Sequence, residues 1–164
     1  MPFDFSRRSL DNLIGVHEDL VTVARLAIHV SDVDFAVIQG MRTAAQQEEY
    51  FLAGKSQRRT GGKHQIGHAI DVMACVGDTD HDGDTDENWA WPHYPLIAHA
   101  FQMASRDLSV QIVWGACWDR QLAGLTEDLE AEVMAYKRRQ RGKAFIDSGH
   151  FELRMDTGFP VETT

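Results

Sequence analysis

Two short segments concentrate the side chains best suited to chemistry. The first is Gly61-Gly62-Lys63-His64-Gln65-Ile66-Gly67-His68-Ala69-Ile70-Asp71, a histidine in a glycine-rich stretch followed by a carboxylate. The second is Asp147-Ser148-Gly149-His150-Phe151-Glu152, where a carboxylate stands just ahead of a histidine. Two neutral imidazoles and one carboxylate make a three-ligand zinc site whose fourth position stays open for water. A further carboxylate nearby, not itself a ligand, is what a zinc hydrolase needs as general base. By spacing alone the same residues also suit ordinary loop and strand-end positions, so the elements that carry them must be read next.

Ala69-Ile70-Asp71-Val72-Met73 alternates as a strand, with Ile70 and Val72 on one face and Asp71 on the other. His150-Phe151-Glu152-Leu153 alternates too, placing His150 and Glu152 together opposite Phe151 and Leu153. Residues 54–67 are basic and glycine-rich without periodicity and read as loop. Val16, Leu20, Val23, Ala27 and Val30 fall at helical spacing and predict a helix over about 17–30. Phe35 to Ile38 reads as a buried strand. Thr43 with Gln46 has capping-box form and opens a helix over about 44–53. Pro92 opens another, with a stripe of Leu96, Ile97, Ala100, Phe101 and Ala104. Val110 to Val113 reads as a strand. Thr126 can cap a helix over about 127–141 whose acids lie early and whose bases lie late, as the helix dipole favours. Helices mixed with short strands point to an α+β fold in one domain spanning 1–164.

Composition narrows the function. The 164 residues hold 16 Lys and Arg against 25 Asp and Glu, a net charge of −9. A phosphate backbone rewards the opposite balance, so nucleic acid is not an expected partner. No apolar run approaches the roughly 18–20 residues that cross a bilayer, and no apolar region follows the basic start, so neither membrane insertion nor a secretory signal is expected. Cys75 and Cys117 do not make a disulfide framework; both read as buried free thiols of a chain made in a reducing cytoplasm.

His64-x6-Asp71, with Gly67-His68-Ala69 between, resembles the first zinc motif of the D-alanyl-D-alanine carboxypeptidase/hedgehog-type metallopeptidases. Asp147-x2-His150-Phe151-Glu152-Leu153 resembles their second. The nearer likeness is to the phage and bacterial branch that cleaves L-alanyl-D-glutamate bonds in peptidoglycan. Leu13 to Leu20 resembles that branch's N-terminal helix start. Phe35 to Thr43 with Gln46-Gln47 is similar to its strand–arginine–helix segment, and Val113 to Trp118 to its aromatic–glycine segment. These blocks keep the family's order from about residue 9 to 153.

The resemblance implies that His64, Asp71 and His150 hold zinc, that Asp147 is the general base, and that Arg42 is the electrophilic partner of the substrate. It implies an endolysin-like peptidase of the peptidoglycan stem peptide, in a fold resembling the hedgehog/DD-peptidase fold with a small antiparallel sheet flanked by helices. Such an enzyme would work as a monomer, accumulate in the host cytoplasm, and reach the wall after another factor opens the membrane. A D-alanyl-D-alanine carboxypeptidase would use the same groups in a closed pocket. A silent, zinc-stabilised wall-binding module would need neither Asp147 nor Arg42. The chain departs from the branch at Gly62, where a hydroxyl residue is common, at Gly149, where proline is common, and at Ala116, where a second glycine is common. The stretch from Asp119 to Lys143 is longer than in the shortest members.

Weaker signals surround these. Asp78, Asp80, Asp82, Asp84 and Asp86 resemble the first half of a calcium loop, although the twelfth position is Trp89 rather than an acid. A bound Ca2+ there would order one wall of the site. His68 is the rival ligand, but on a strand starting near Ala69 it faces away from Asp71. Trp114 and Trp118 suit either core or groove, and Glu152 is placed to orient His150. The basic run from Lys137 to Arg141 reads as a solvated helix end that could also meet anionic wall polymers.

Overall fold

The computed structural model describes residues 1–154. Its elements are α1 (Arg7–Asn12), α2 (Glu18–Val30), β1 (Phe35–Gln39), α3 (Ala44–Leu52), β2 (Ala69–Ala74), α4 (His93–Leu108), β3 (Ile112–Trp114), α5 (Leu129–Arg139) and β4 (His150–Leu153). The four strands form one antiparallel sheet in the order β1-β2-β4-β3. This is the expected α+β arrangement.

The sheet is amphipathic by its period of two. Ile70, Val72 and Ala74 on β2, with Phe151 and Leu153 on β4, turn into a core shared with α2 and α4. Leu20, Val23, Ala24, Ala27 and Ile28 make the buried stripe of α2, and Ile97, Ala98, Phe101 and Ala104 that of α4. The Phe101 ring stacks on Phe151 at 3.9 Å between centroids and lies 5.5 Å from Phe35, tying α4 to β4 and β1. Each such fully buried side chain stabilises the fold by about 1.5–3 kcal/mol. The opposite face of β2 and β4 is left to carry Asp71, His150 and Glu152.

Several expectations shift in detail. Thr43 does cap α3, with the reciprocal Gln46 bond to its backbone. The cap of α5 is Asp128, whose carboxylate accepts from Ala131 N at 3.0 Å; Thr126 N instead donates to Glu132. Strand β3 starts later than expected and runs on to Trp114, because it is Ile112 to Trp114 that pair with Leu153 to Phe151 of β4. Leu96 is not part of the α4 stripe but 47% exposed. Cys117 is buried, whereas Cys75, just past the end of β2, is exposed. The loop 54–67 holds one 3-10 turn, Lys63–Ile66. Helix α1 was not expected at all, since Arg7-Arg8-Ser9-Leu10-Asp11-Asn12 carries no apolar stripe.

Candidate metal centre

Strand register creates the centre. Antiparallel pairing of β2 with β4 sets Asp71 directly opposite His150 on the face turned away from the core. The 3-10 turn before β2 brings in His64, whose backbone carbonyl accepts from Arg42 N at 2.9 Å. His64 Nε2 lies 3.2 Å and His150 Nδ1 2.9 Å from the same oxygen, Asp71 Oδ1. One donor atom from each of these residues lies within 4.8 Å of the others, the spacing of side chains that can share one cation.

The outward nitrogens are also committed. His64 Nδ1 donates to the Gly40 carbonyl at 2.8 Å, and His150 Nε2 donates to Glu152 Oε2 at 3.0 Å. Each ring therefore keeps its remaining nitrogen for the point where Asp71 sits. Outer hydrogen bonds of this kind fix the tautomer and orientation of metal-ligating histidines. The two-histidine, one-carboxylate set with both tautomers determined fits a zinc-type cation and leaves a coordination position open.

Electrostatics agree with that use. Burial alone would raise Asp71, but hydrogen bonds from His150 and His64 outweigh it and hold the carboxyl far below the usual range. Burial would lower His150, but Asp71 and Glu152 outweigh that and push the imidazole up to about 9. A ligating imidazole must be neutral, so a cation at this point competes with a proton.

Asp147 approaches from the turn ahead of β4. Its N–H donates to Gly115 O at 2.9 Å, its carbonyl accepts from His150 N at 3.1 Å, and Trp114 Nε1 donates to Ser148 O at 2.7 Å. A side chain at Gly115 would collide with the Asp147 carbonyl and the His150 Cβ, so the Trp114-Gly115 corner clamps the turn. Gly149 likewise packs against the Val72 carbonyl, and its own carbonyl accepts from Val72 N at 2.8 Å. Close packing thus holds the turn at Gly149. Burial, then the charge of Asp71, raises the Asp147 carboxyl above its ordinary value against the opposing pull of His150, His64 and Arg42.

Arg42, only 6% exposed, completes the group. Its Nη1 donates to Gln47 Oε1 at 2.8 Å, its Nη2 is 3.5 Å from Asp71 Oδ2, and its guanidinium lies 4.2 Å over the Tyr50 ring. Burial lowers its pKa from the ordinary value, against the pull of Asp71, Tyr50 and Asp147. Arginine stays charged under such a perturbation. Gln47 is the residue whose part the sequence did not reveal: an amide on a short helix gives no periodic signal, yet it is 1% exposed and holds the guanidinium.

These groups face one cleft of about 450 Å³, with Trp118 and Phe145 on one wall and Lys55, Arg58 and Lys63 among its other lining residues. Trp118 lies 4.9 Å from the His150 ring and donates from Nε1 to Phe145 O at 3.1 Å. Trp114 is fully buried core, so the two tryptophans divide the roles left open by the sequence. His68 stands apart, edge-on to His17 at 5.2 Å. In the acidic loop, Asp78, Asp80 and Asp82 bring carboxylate oxygens together, while Asp84 and Asp86 fall outside that group. Backbone N–H groups of Asp82, Gly83, Asp84 and Asp86 cap the carboxylates of Asp78, Asp80, Asp82 and Asp84.

A model of the phage L-alanyl-D-glutamate peptidase family matches residues 1–154. The chain belongs to that family. It is similar to the L-alanyl-D-glutamate peptidase of Escherichia phage T5, with 30% identity over 155 residues, covering 93% of this chain and 99% of that one. Its fold is similar to the crystal structure of the Serratia marcescens L-Ala D-Glu endopeptidase ChiX. That match has a TM-score of 0.66 and 33% identity, and covers 93% of this chain and 91% of the other. His64, Asp71, His150, Asp147 and Arg42 all line one cleft.

Proposed function

We propose that this chain is a zinc-dependent endopeptidase that hydrolyses the L-alanyl-D-glutamate bond of the peptidoglycan stem peptide. The observation that carries the reading is the pair of imidazoles. Each commits its outer nitrogen to a built acceptor and turns the other onto Asp71 Oδ1, beside a carboxylate and a guanidinium. His64, Asp71 and His150 would hold the metal, and a divalent zinc-type ion there supplies Lewis acidity toward water and a peptide carbonyl. Among the described residues no helix is long and apolar enough to cross a membrane. We take the working form to be a monomer of one domain.

The chain's own residues do the rest. Asp147, with its carboxyl raised by burial, takes the proton of the attacking water and returns it to the leaving amine of D-glutamate. Arg42, held by Gln47 and Tyr50, presents a fixed positive charge where the carbonyl oxygen gains negative charge. The Trp118 and Phe145 side chains shield the His150 edge of the cleft from water.

Asp147→Ala should keep metal stoichiometry and lower hydrolysis by about 10²–10⁴-fold; near-normal turnover by a metal-loaded variant would remove Asp147 from this role. For the acidic loop we propose Ca2+ as a second ion, held by Asp78, Asp80 and Asp82, with Asp84 and Asp86 in support. Calorimetry at millimolar calcium should register heat and a higher melting temperature, and the absence of both would discard it.

A further inference from the structure

The charge of the cleft runs against that of the chain. Five of its 16 Lys and Arg (Arg42, Lys55, Arg58, Lys63 and Lys143) line the cleft, against only three of its 25 Asp and Glu, all three at the reacting centre. An acidic protein that gathers its cations around one opening selects for an anionic ligand. Not all of these cations are available. Arg42 is held by Gln47 and Asp71, and Lys63 Nζ donates to Leu153 O at 3.0 Å. Lys55 Nζ sits 5.8 Å from the centroid of the Tyr50 ring. Among the described residues no carboxylate is paired with Arg58 or Lys143.

Arg58 differs from Lys143 in how it is mounted. Gln47 Nε2 donates to the Arg58 carbonyl and to Ser56 Oγ, the latter at 2.9 Å, and Arg58 N donates to Ser56 Oγ at 3.3 Å. The amide that fixes the Arg42 guanidinium therefore also fixes the backbone of Arg58, whose exposed side chain lines the same cleft. A fixed fork of N–H donors suits a carboxylate better than a mobile ammonium does.

The substrate reading, on which this inference rests, supplies such a group. A glutamate residue in a peptide carries two carboxyls; the chain continues through one and leaves the other free. We infer that Arg58 is a specificity-determining residue that binds the free carboxylate of the D-glutamate residue, and that the enzyme discriminates against stem peptides in which this group is amidated. The neutral amide cannot accept two charge-assisted bonds, and it would leave the guanidinium facing an N–H donor.

The test uses metal-loaded enzyme and two synthetic stem peptides that differ only in whether that carboxyl is free or a primary amide. Wild type should favour the free acid by roughly tenfold to a hundredfold in kcat/KM, mostly through KM, as expected for a charged hydrogen-bond pair. Arg58→Gln should lose that preference through a fall in kcat/KM on the free-acid peptide, with an unchanged melting temperature and metal content showing that the variant is folded. Arg58→Lys should keep part of the preference. Equal cleavage of both peptides by wild type, or a preference that survives Arg58→Gln, would overturn the inference and leave the peptidase reading standing. Cleavage of neither peptide by wild type would overturn both.

Discussion

His150 donates from Nε2 to Glu152 Oε2 at 3.0 Å, and the two residues share one face of β4 with a single residue between them. Because the bond uses Nε2, Nδ1 is the nitrogen left facing Asp71, 2.9 Å away. Strand alternation thus decides which atom of the imidazole faces Asp71.

Glu152→Ala removes that acceptor and frees the ring to rotate and change tautomer. Zinc affinity should fall roughly 10–100-fold, as for other outer partners of ligating histidines. Glu152→Gln, which keeps an acceptor oxygen without the charge, should fall less. Competition with a chromogenic chelator measures this, and an unchanged affinity in the alanine variant would mean that Glu152 does not orient the ring.

As the proposed general base, Asp147 with its raised carboxyl would set an acid limit on activity. Burial and the neighbouring Asp71 charge favour its protonated form, and a general base works only when deprotonated. Activity should therefore fall as pH drops through a value above the ordinary aspartate value of 3.8, rather than at or below it. The acid limb of kcat/KM against pH, recorded with metal saturation verified at each point, measures that value. Full activity down to about pH 4 would contradict the assignment, since an unperturbed aspartate titrates near there.

Much of the site-bearing framework was legible because strands betray themselves by a period of two. The alternation of His150 to Leu153 gave β4 with its bounds, and that of Ala69 to Met73 gave β2 short by one residue, with Asp71 on the correct face. The Thr43–Gln46 capping box was readable because its partners are three residues apart. What escaped depends on chain segments far apart in sequence. The Gly40 carbonyl that fixes His64 is a backbone atom with no sequence signature. Gln47 gains its importance only when the loop after α3 folds back over it. The same reason covers Trp114, whose hydrogen bond to Ser148 spans 34 positions and makes it core and clamp rather than groove. Cys75 is exposed just past the end of β2, and Leu96 is 47% exposed on α4.

The most direct measurement is mass spectrometry of the fragments released from purified peptidoglycan, with the enzyme zinc-loaded and, in parallel, stripped by a chelator. The account predicts stem peptides that begin at D-glutamate, released by the zinc-loaded enzyme, absent after chelation and restored by added zinc. Release of terminal D-alanine alone, or the same D-glutamate fragments from fully metal-free enzyme, would contradict it.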